Sequence, residues 1–236
     1  MRLDKALSLA GYTRSEAKAM IARGRVCVAG EVVRDAGRNV QTGDVTLDGM
    51  PIDAREELYL MLHKPAGVVT ATEDKRLPTV VSLLPESYRR RKIGPVGRLD
   101  KDVTGLLILT TDGQLAHRLI SPKWDVEKTY YAEIEGEIDD ECVRRFAEGV
   151  PLKEFTCKPA RLERAGAGAC RVYVSEGKYH QVKRMLAAVG HPVLRLKREK
   201  IGPVALDPAL SEGEFRPLTP GEEAALYEIA GMTKHE

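Results

Sequence analysis

Residues 97–113 constrain this chain more than any other stretch. They set one carboxylate, Asp100, in a loop punctuated by Gly97 and follow it at once with an apolar run, 103–109, that reads as a strand. Reacting groups commonly sit in such loops, because the strand fixes them while the loop exposes them. An isolated loop aspartate, taken alone, is a solvated turn acid. The decision therefore rests on what stands around Asp100.

Hydrophobic residues make up 43% of the 236-residue chain and charged residues 31%, a globular balance with length for one or two domains. The formal net charge of +2 favours no partner, but its distribution is uneven. Residues 178–200 hold seven basic side chains against the single acid Glu199, and 133–148 hold seven acids against two arginines. A molecule polarised this way presents a basic face to a polyanion. Each run alone also reads as an ordinary solvated face. Cys27, Cys142, Cys157 and Cys170 are scattered, with no Cys-x-x-Cys pair and no histidine at ligand spacing, so no metal site is expected. Dispersed cysteines suit a reducing compartment. Arg2, Asp4 and Lys5 interrupt any signal-peptide core, and no apolar run approaches the ~18 residues of a membrane span. The expectation is a soluble cytoplasmic protein without membrane association.

Residues 1–48 read as a small module. Leu3, Leu7 and Ala10 share one face of a helix that stops near Gly11. Thr13 and Glu16 stand at capping-box spacing and open a second helix, with Ala17, Met20 and Ile21 on its buried face. Gly24 is placed for a left-handed stop. Residues 25–28 and 31–33 read as a strand and its return, and a turn at Thr42-Gly43-Asp44 leads to Val45 and Leu47. Arg14 and Lys18 share the exposed face of the second helix, and Arg23 and Arg25 extend it. Residues 49–57 carry Pro51, lose periodicity and turn acidic, as a linker does.

A second domain is expected over 58–236. Residues 58–62 read as a strand, Lys64-Pro65-Ala66-Gly67 as a turn, 114–120 as a helix, 129–135 as a strand, 139–148 as an acidic amphipathic helix, 172–175 as a strand and 180–189 as a helix. Arg89, Arg90, Arg91 and Lys92 read as a flexible solvated loop, with a phosphate clamp as the alternative. Strands outnumber crossover helices, which points to an α+β domain on a mostly antiparallel, mixed sheet.

Gly97-Arg98-Leu99-Asp100 followed by Thr104-Gly105-Leu106-Leu107 resembles the signature of RNA pseudouridine synthases. Lys128-Thr129-Tyr130 and the run from Glu176 through His180-Gln181-Val182-Lys183 to Leu186 resemble two further motifs of that family. The likeness covers 58–217 and is closest to the small-subunit rRNA pseudouridine synthase A group. It implies Asp100 as nucleophile, Tyr130 packed on the reacting base, Lys183 paired with Asp100, and Leu186 as the apolar wall of the pocket. Arg98 is expected to fill or brace the position the base vacates. The chain departs from the pattern at His63, where the family commonly has Asn, and no chemistry is assigned there. His180 is read as a cap or RNA contact and Gln181 as a hydrogen-bonding strut. The first module resembles a small RNA-binding domain of ribosomal proteins, which implies that Arg14, Lys18, Arg23 and Arg25 grip RNA through its backbone. The implied partner is ribosomal RNA, 16S foremost, free or in an assembly intermediate, bound by a monomer with no cofactor and no metal.

The residue types fit that chemistry. Isomerising uridine breaks N1–C1′, turns the uracil and joins C5 to C1′, and an ionised carboxylate can trap the carbon involved. A neighbouring ammonium such as Lys183 offsets the desolvation of that carboxylate and aims it. Tyr130 offers a flat face for the base, and its hydroxyl could help remove the C5 proton. The base must leave its stack to reach Asp100. Two other readings stay open: a noncatalytic RNA-binding assembly protein with a synthase fold, and a synthase of the same layout acting on 23S rRNA. An aspartate-nucleophile hydrolase would need a second carboxylate in suitable company, which the sequence does not offer.

Overall fold

The computed structural model describes residues 1–233 and falls into two packed units, Met1–Leu58 with Leu84–Ile93, and Tyr59–Leu83 with the chain from Gly94 onward. In the first unit α1 (Leu3–Leu9) and α2 (Arg14–Ala22) pack over a four-stranded antiparallel sheet. Its strands are β1 (Val26–Val28), β2 (Glu31–Val32), β3 (Val45–Leu47) and β4 (Met50–Pro51), in the order β2-β1-β3-β4. Leu3, Leu7, Ala17, Ile21, Val26 and Val45 form the dry centre. The capping box is made: Thr13 Oγ1 accepts from Glu16 N–H at 3.2 Å, and Thr13 N–H donates to Glu16 Oε2 at 2.8 Å. Gly24, at φ +69°, ends the helix in the left-handed region.

Two stretches behave otherwise than their sequence suggests. The 49–57 stretch carries β4 and the buried Ala54, so it packs as part of the first unit. The basic run after the short α3 (Glu86–Arg89) is held in place. Arg90 bridges Glu16 at 2.9 Å and Glu86 at 2.7 Å, and Arg91 donates to the carbonyls of Asp53, Arg55 and Glu56. Guanidiniums supplied with carboxylate and carbonyl acceptors in fixed geometry are fasteners.

The second unit is built on one nine-stranded sheet. Its strands are β5 (Tyr59–Lys64), β6 (Gly94–Pro95), β7 (Thr104–Thr110), β8 (Lys128–Ile134), β9 (Arg161–Arg164), β10 (Ala169–Val174), β11 (Val193–Ile201), β12 (Val204–Ala205) and β13 (Phe215–Pro217). The order is β13-β5-β7-β11-β8-β10-β9, with β12 beside β11 and β6 beside β7. Every pairing is antiparallel except β7 with β11. The helices are α4 (Gly113–Ile120), α5 (Asp140–Glu148), α6 (Gln181–Ala188) and α7 (Pro220–Ile229). α5 and α6 bury Phe146, Met185 and Leu186 against Ala132, Val172 and Leu196. α4 and α7 bury Leu115, Leu119 and Leu226 against Met61, Ile108 and Ile201. Every residue of β5 and residues 105–110 of β7 are buried, so both faces of these strands are covered. Among the described residues no helix is long and apolar enough to cross a membrane.

Candidate active site

Asp100 sits in the loop between β6 and β7, and that loop is tied down from below. Thr70 Oγ1 donates to Leu99 O at 2.7 Å and accepts from Leu99 N–H at 3.1 Å, and Gly67 N–H donates to Lys101 O at 2.8 Å. Lys64, at the end of β5, is fully buried. Its ammonium donates to the carbonyls of Pro65 at 2.9 Å, Lys101 at 3.3 Å and Val103 at 2.9 Å. Three N–H donors meet three carbonyls, so the Lys-Pro turn clamps the loop that carries Asp100. Burial pushes the Lys64 amine down to about 8, against the pull of Asp102 and Asp100.

The strand that follows fixes the loop laterally. Gly105 on β7, at φ +109°, lies opposite Arg198 on β11, and a β-carbon there would stand 2.2 Å from the Arg198 carbonyl oxygen. Only glycine allows β11 so close. Arg198 is in turn registered against Tyr130 on β8. Its guanidinium is buried: Nε donates to Leu106 O at 2.8 Å, Nη1 to the Tyr130 hydroxyl at 3.5 Å, and Nη2 has no partner among the described residues.

Above this floor is a cleft of about 80 Å³, lined among others by Arg98, Asp100, Tyr130, His180 and Lys183. Lys183 Nζ lies 3.3 Å from Asp100 Oδ2 and 2.7 Å from Asp102 Oδ1, and His180 Nε2 lies 3.5 Å from Asp100 Oδ1. Both oxygens of Asp100 thus face a nitrogen. Lys183 is shared between two carboxylates, with the shorter contact to Asp102, whose carboxyl it holds below the usual range. A carboxylate flanked by an ammonium, beside an aromatic hydroxyl in a partly closed cleft, is arranged for nucleophilic and proton-transfer chemistry.

A family model for RNA pseudouridylate synthase matches residues 58–188, and one for the S4 domain matches residues 1–45. An uncharacterized RNA pseudouridine synthase of Bacillus subtilis (strain 168) is 46% identical over 97% of this chain and 99% of its own length. Ribosomal small subunit pseudouridine synthase A of Escherichia coli (strain K12) is 44% identical over 96% of this chain and 100% of its own. A crystal structure of a pseudouridylate synthase superposes with a TM-score of 0.69 at 39% identity, covering 96% of this chain and 99% of that one. The chain belongs to the RNA pseudouridylate synthase family. The synthase is an isomerase acting on RNA, with an N-terminal S4 domain, an RNA-binding module, before its catalytic domain.

The synthase brings Asp100, Tyr130, Lys183 and Arg98 to one cleft, but not Leu186. Leu186 is fully buried in the core beneath, among the residues packed between α6 and the sheet. The cleft's apolar lining is Leu99, Val103, Val174, Val182 and Leu196. Leu186 follows Lys183 at an offset of about 60° around α6, far enough for it to pack into the core while Lys183 lines the cleft. Gln181 is the strut expected of it, accepting from Lys178 N–H at 3.1 Å and donating to Glu176 at 2.9 Å. Lys64, Gly105, Arg198 and Asp102 escaped the sequence reading as site residues. A larger hollow of about 600 Å³ includes His63, Thr129, Arg171, Tyr173 and Lys197 in its lining. Successive strand residues face opposite ways, so Thr129 and Lys197 point away from Tyr130 and Arg198. Its acids are already paired, Glu199 with Arg171 and Asp207 with Arg216, and His63 Nδ1 donates to Leu210 O at 2.8 Å. Size alone does not make that hollow the reaction site. In the S4 domain Arg14, Lys18 and Arg23 are exposed, and Arg25 is paired with Asp48.

Proposed function

We propose that this synthase converts one uridine of 16S ribosomal RNA to pseudouridine, with Asp100 as nucleophile. The observation that carries the reading is the Asp100 carboxylate held 3.3 Å from Lys183 in the cleft that Tyr130 also lines. Lys183 orients the carboxylate, and the Asp100 oxygen attacks the ribose at C1′ or the base at C6. By either route N1–C1′ breaks, the uracil turns, C5–C1′ forms, the bond between the Asp100 oxygen and its carbon breaks to free the carboxylate, the C5 proton is lost and N1 takes up a proton. Atoms balance without oxidant, reductant or donor. Tyr130 supports the base face and stands near C5 to take its proton. Arg98, exposed at the rim, braces the gap left by the swung-out base.

The 16S target is supported by the relatives named ribosomal small subunit pseudouridine synthase A. Arg14, Lys18, Arg23 and Arg25 of the first unit supply backbone grip on the RNA. One chain supplies Asp100, Tyr130 and Lys183, which fits a monomer, and four free thiols fit the cytoplasm. The test is a pseudouridine map of rRNA from cells with and without the protein, complemented by wild type or by Asp100→Asn. A small-subunit site that vanishes, returns with wild type, and stays absent with Asp100→Asn is the expected result. Loss of a large-subunit site moves the target to 23S rRNA. An unchanged map, or restoration by Asp100→Asn, overturns the assignment.

A further inference from the structure

We infer that Tyr179, stacked on His180 at the rim of the cleft, is a landing surface for an unpaired RNA base next to the target uridine. The inference rests on the synthase reading of Asp100 and adds a subsite to it. The two rings lie 3.8 Å apart at 18°, and Tyr179 is 73% exposed, so its outer face is open. His180, the inner ring, lines the cleft and points Nε2 at Asp100 Oδ1, 3.5 Å away. His180 therefore links the outer ring, on its face, to the reacting carboxylate, at its edge.

The turn that presents this pair is rigid and strained. His180 sits at φ 50°, ψ 29°, a left-handed conformation that β-carbon-bearing residues avoid. Gln181 pins the turn by accepting from Lys178 N–H and donating to Glu176, and Lys178 is held by Glu176 at 2.9 Å and by the Phe155 ring at 3.8 Å. Among the described residues the ring contact of Tyr179 is with His180. Flipping a uridine out of its stack leaves its neighbour without a stacking partner, and a flat exposed ring replaces it. Aromatic faces serve any base, so this subsite contributes affinity and placement with little sequence preference.

The test measures kcat/KM on an rRNA transcript, then on a short RNA with the mapped uridine and an abasic nucleotide on either side. Tyr179→Ala should lower kcat/KM by about 5- to 150-fold, the range for loss of one base–aromatic stack. Tyr179→Phe and Tyr179→Trp should stay within about threefold of wild type. On one side of the uridine the abasic RNA should reproduce the loss with wild type and add nothing to Tyr179→Ala. Tyr179→Ala matching wild type, or additive losses on both sides, overturns the subsite while leaving the synthase reading intact. Failure of the wild type to make pseudouridine in any rRNA transcript overturns both.

Discussion

Gly105 and Arg198 meet back to back across the one parallel pairing of the catalytic sheet, too close for any side chain at position 105. Gly105→Ala combines a forced positive φ with a collision against backbone that cannot turn aside. It should destabilise the protein by roughly 2–4 kcal/mol, read from the denaturant midpoint, and abolish turnover. Gly30→Ala is the comparison: its φ is +85° but nothing lies within 4 Å, so the loss there should be near 1 kcal/mol. Equal effects at the two positions would show that the contact does not matter.

Arg198 lies beneath Tyr130 with one nitrogen unpartnered and no carboxylate paired with it among the described residues. Exchanging such a buried charge for an apolar group of similar length is often close to neutral for stability. Arg198→Met should therefore change the melting temperature by only a few degrees yet lower kcat at least tenfold, because the Tyr130 hydroxyl loses its donor. Arg198→Lys should recover part of the rate. A variant with normal kcat removes Arg198 from the machinery.

Lys64 and Lys128 both titrate near 8 in the folded protein, against an ordinary 10.5, because burial disfavours their charged forms. Between pH 8 and 10.5 the unfolded chain holds more protons than the folded one, so these groups make stability rise with pH across that window. The slope is at most about 1.4 kcal/mol per pH unit for each lysine. Lys128→Met should flatten the rise measured by denaturant unfolding at pH 8, 9 and 10. A slope identical to wild type contradicts the assignment.

The exposed cations of the first unit differ in one respect: Arg25 is already engaged by Asp48, with Nε 2.9 Å from Oδ1, whereas Arg14, Lys18 and Arg23 make no ion pair among the described residues. Substituting each of those three by alanine should weaken rRNA binding and reduce the slope of log K against log salt by about 0.7–0.9. Arg25→Ala should have a smaller effect. Filter binding from 50 to 200 mM salt separates the cases.

The signals that were legible are those carried by local rules. A capping box reads from two residues three apart, and Gly24 from the need for a left-handed stop. The gathering of Asp100, Tyr130 and Lys183 was legible because each stands in a distinctive string. β11 was not, because its buried-face partner to Leu196 is the arginine at 198, which breaks the apolar alternation. Lys64 looked like a turn cation because its three acceptors are main-chain carbonyls, which leave no trace in a sequence. Arg90 looked solvated because one of its anchors, Glu16, is 74 positions away.

The chain changes unit three times, at 58/59, 83/84 and 93/94, and the last passage comes just upstream of Arg98. The excursion is fastened to residues 1–58 by Arg90 on Glu16 and by Arg91 on the carbonyls of Asp53, Arg55 and Glu56. Trimming away the amino-terminal portion leaves that excursion in the chain without the rest of its unit instead of releasing a clean half. Hybrids shuffled between relatives will need to carry both pieces together or neither.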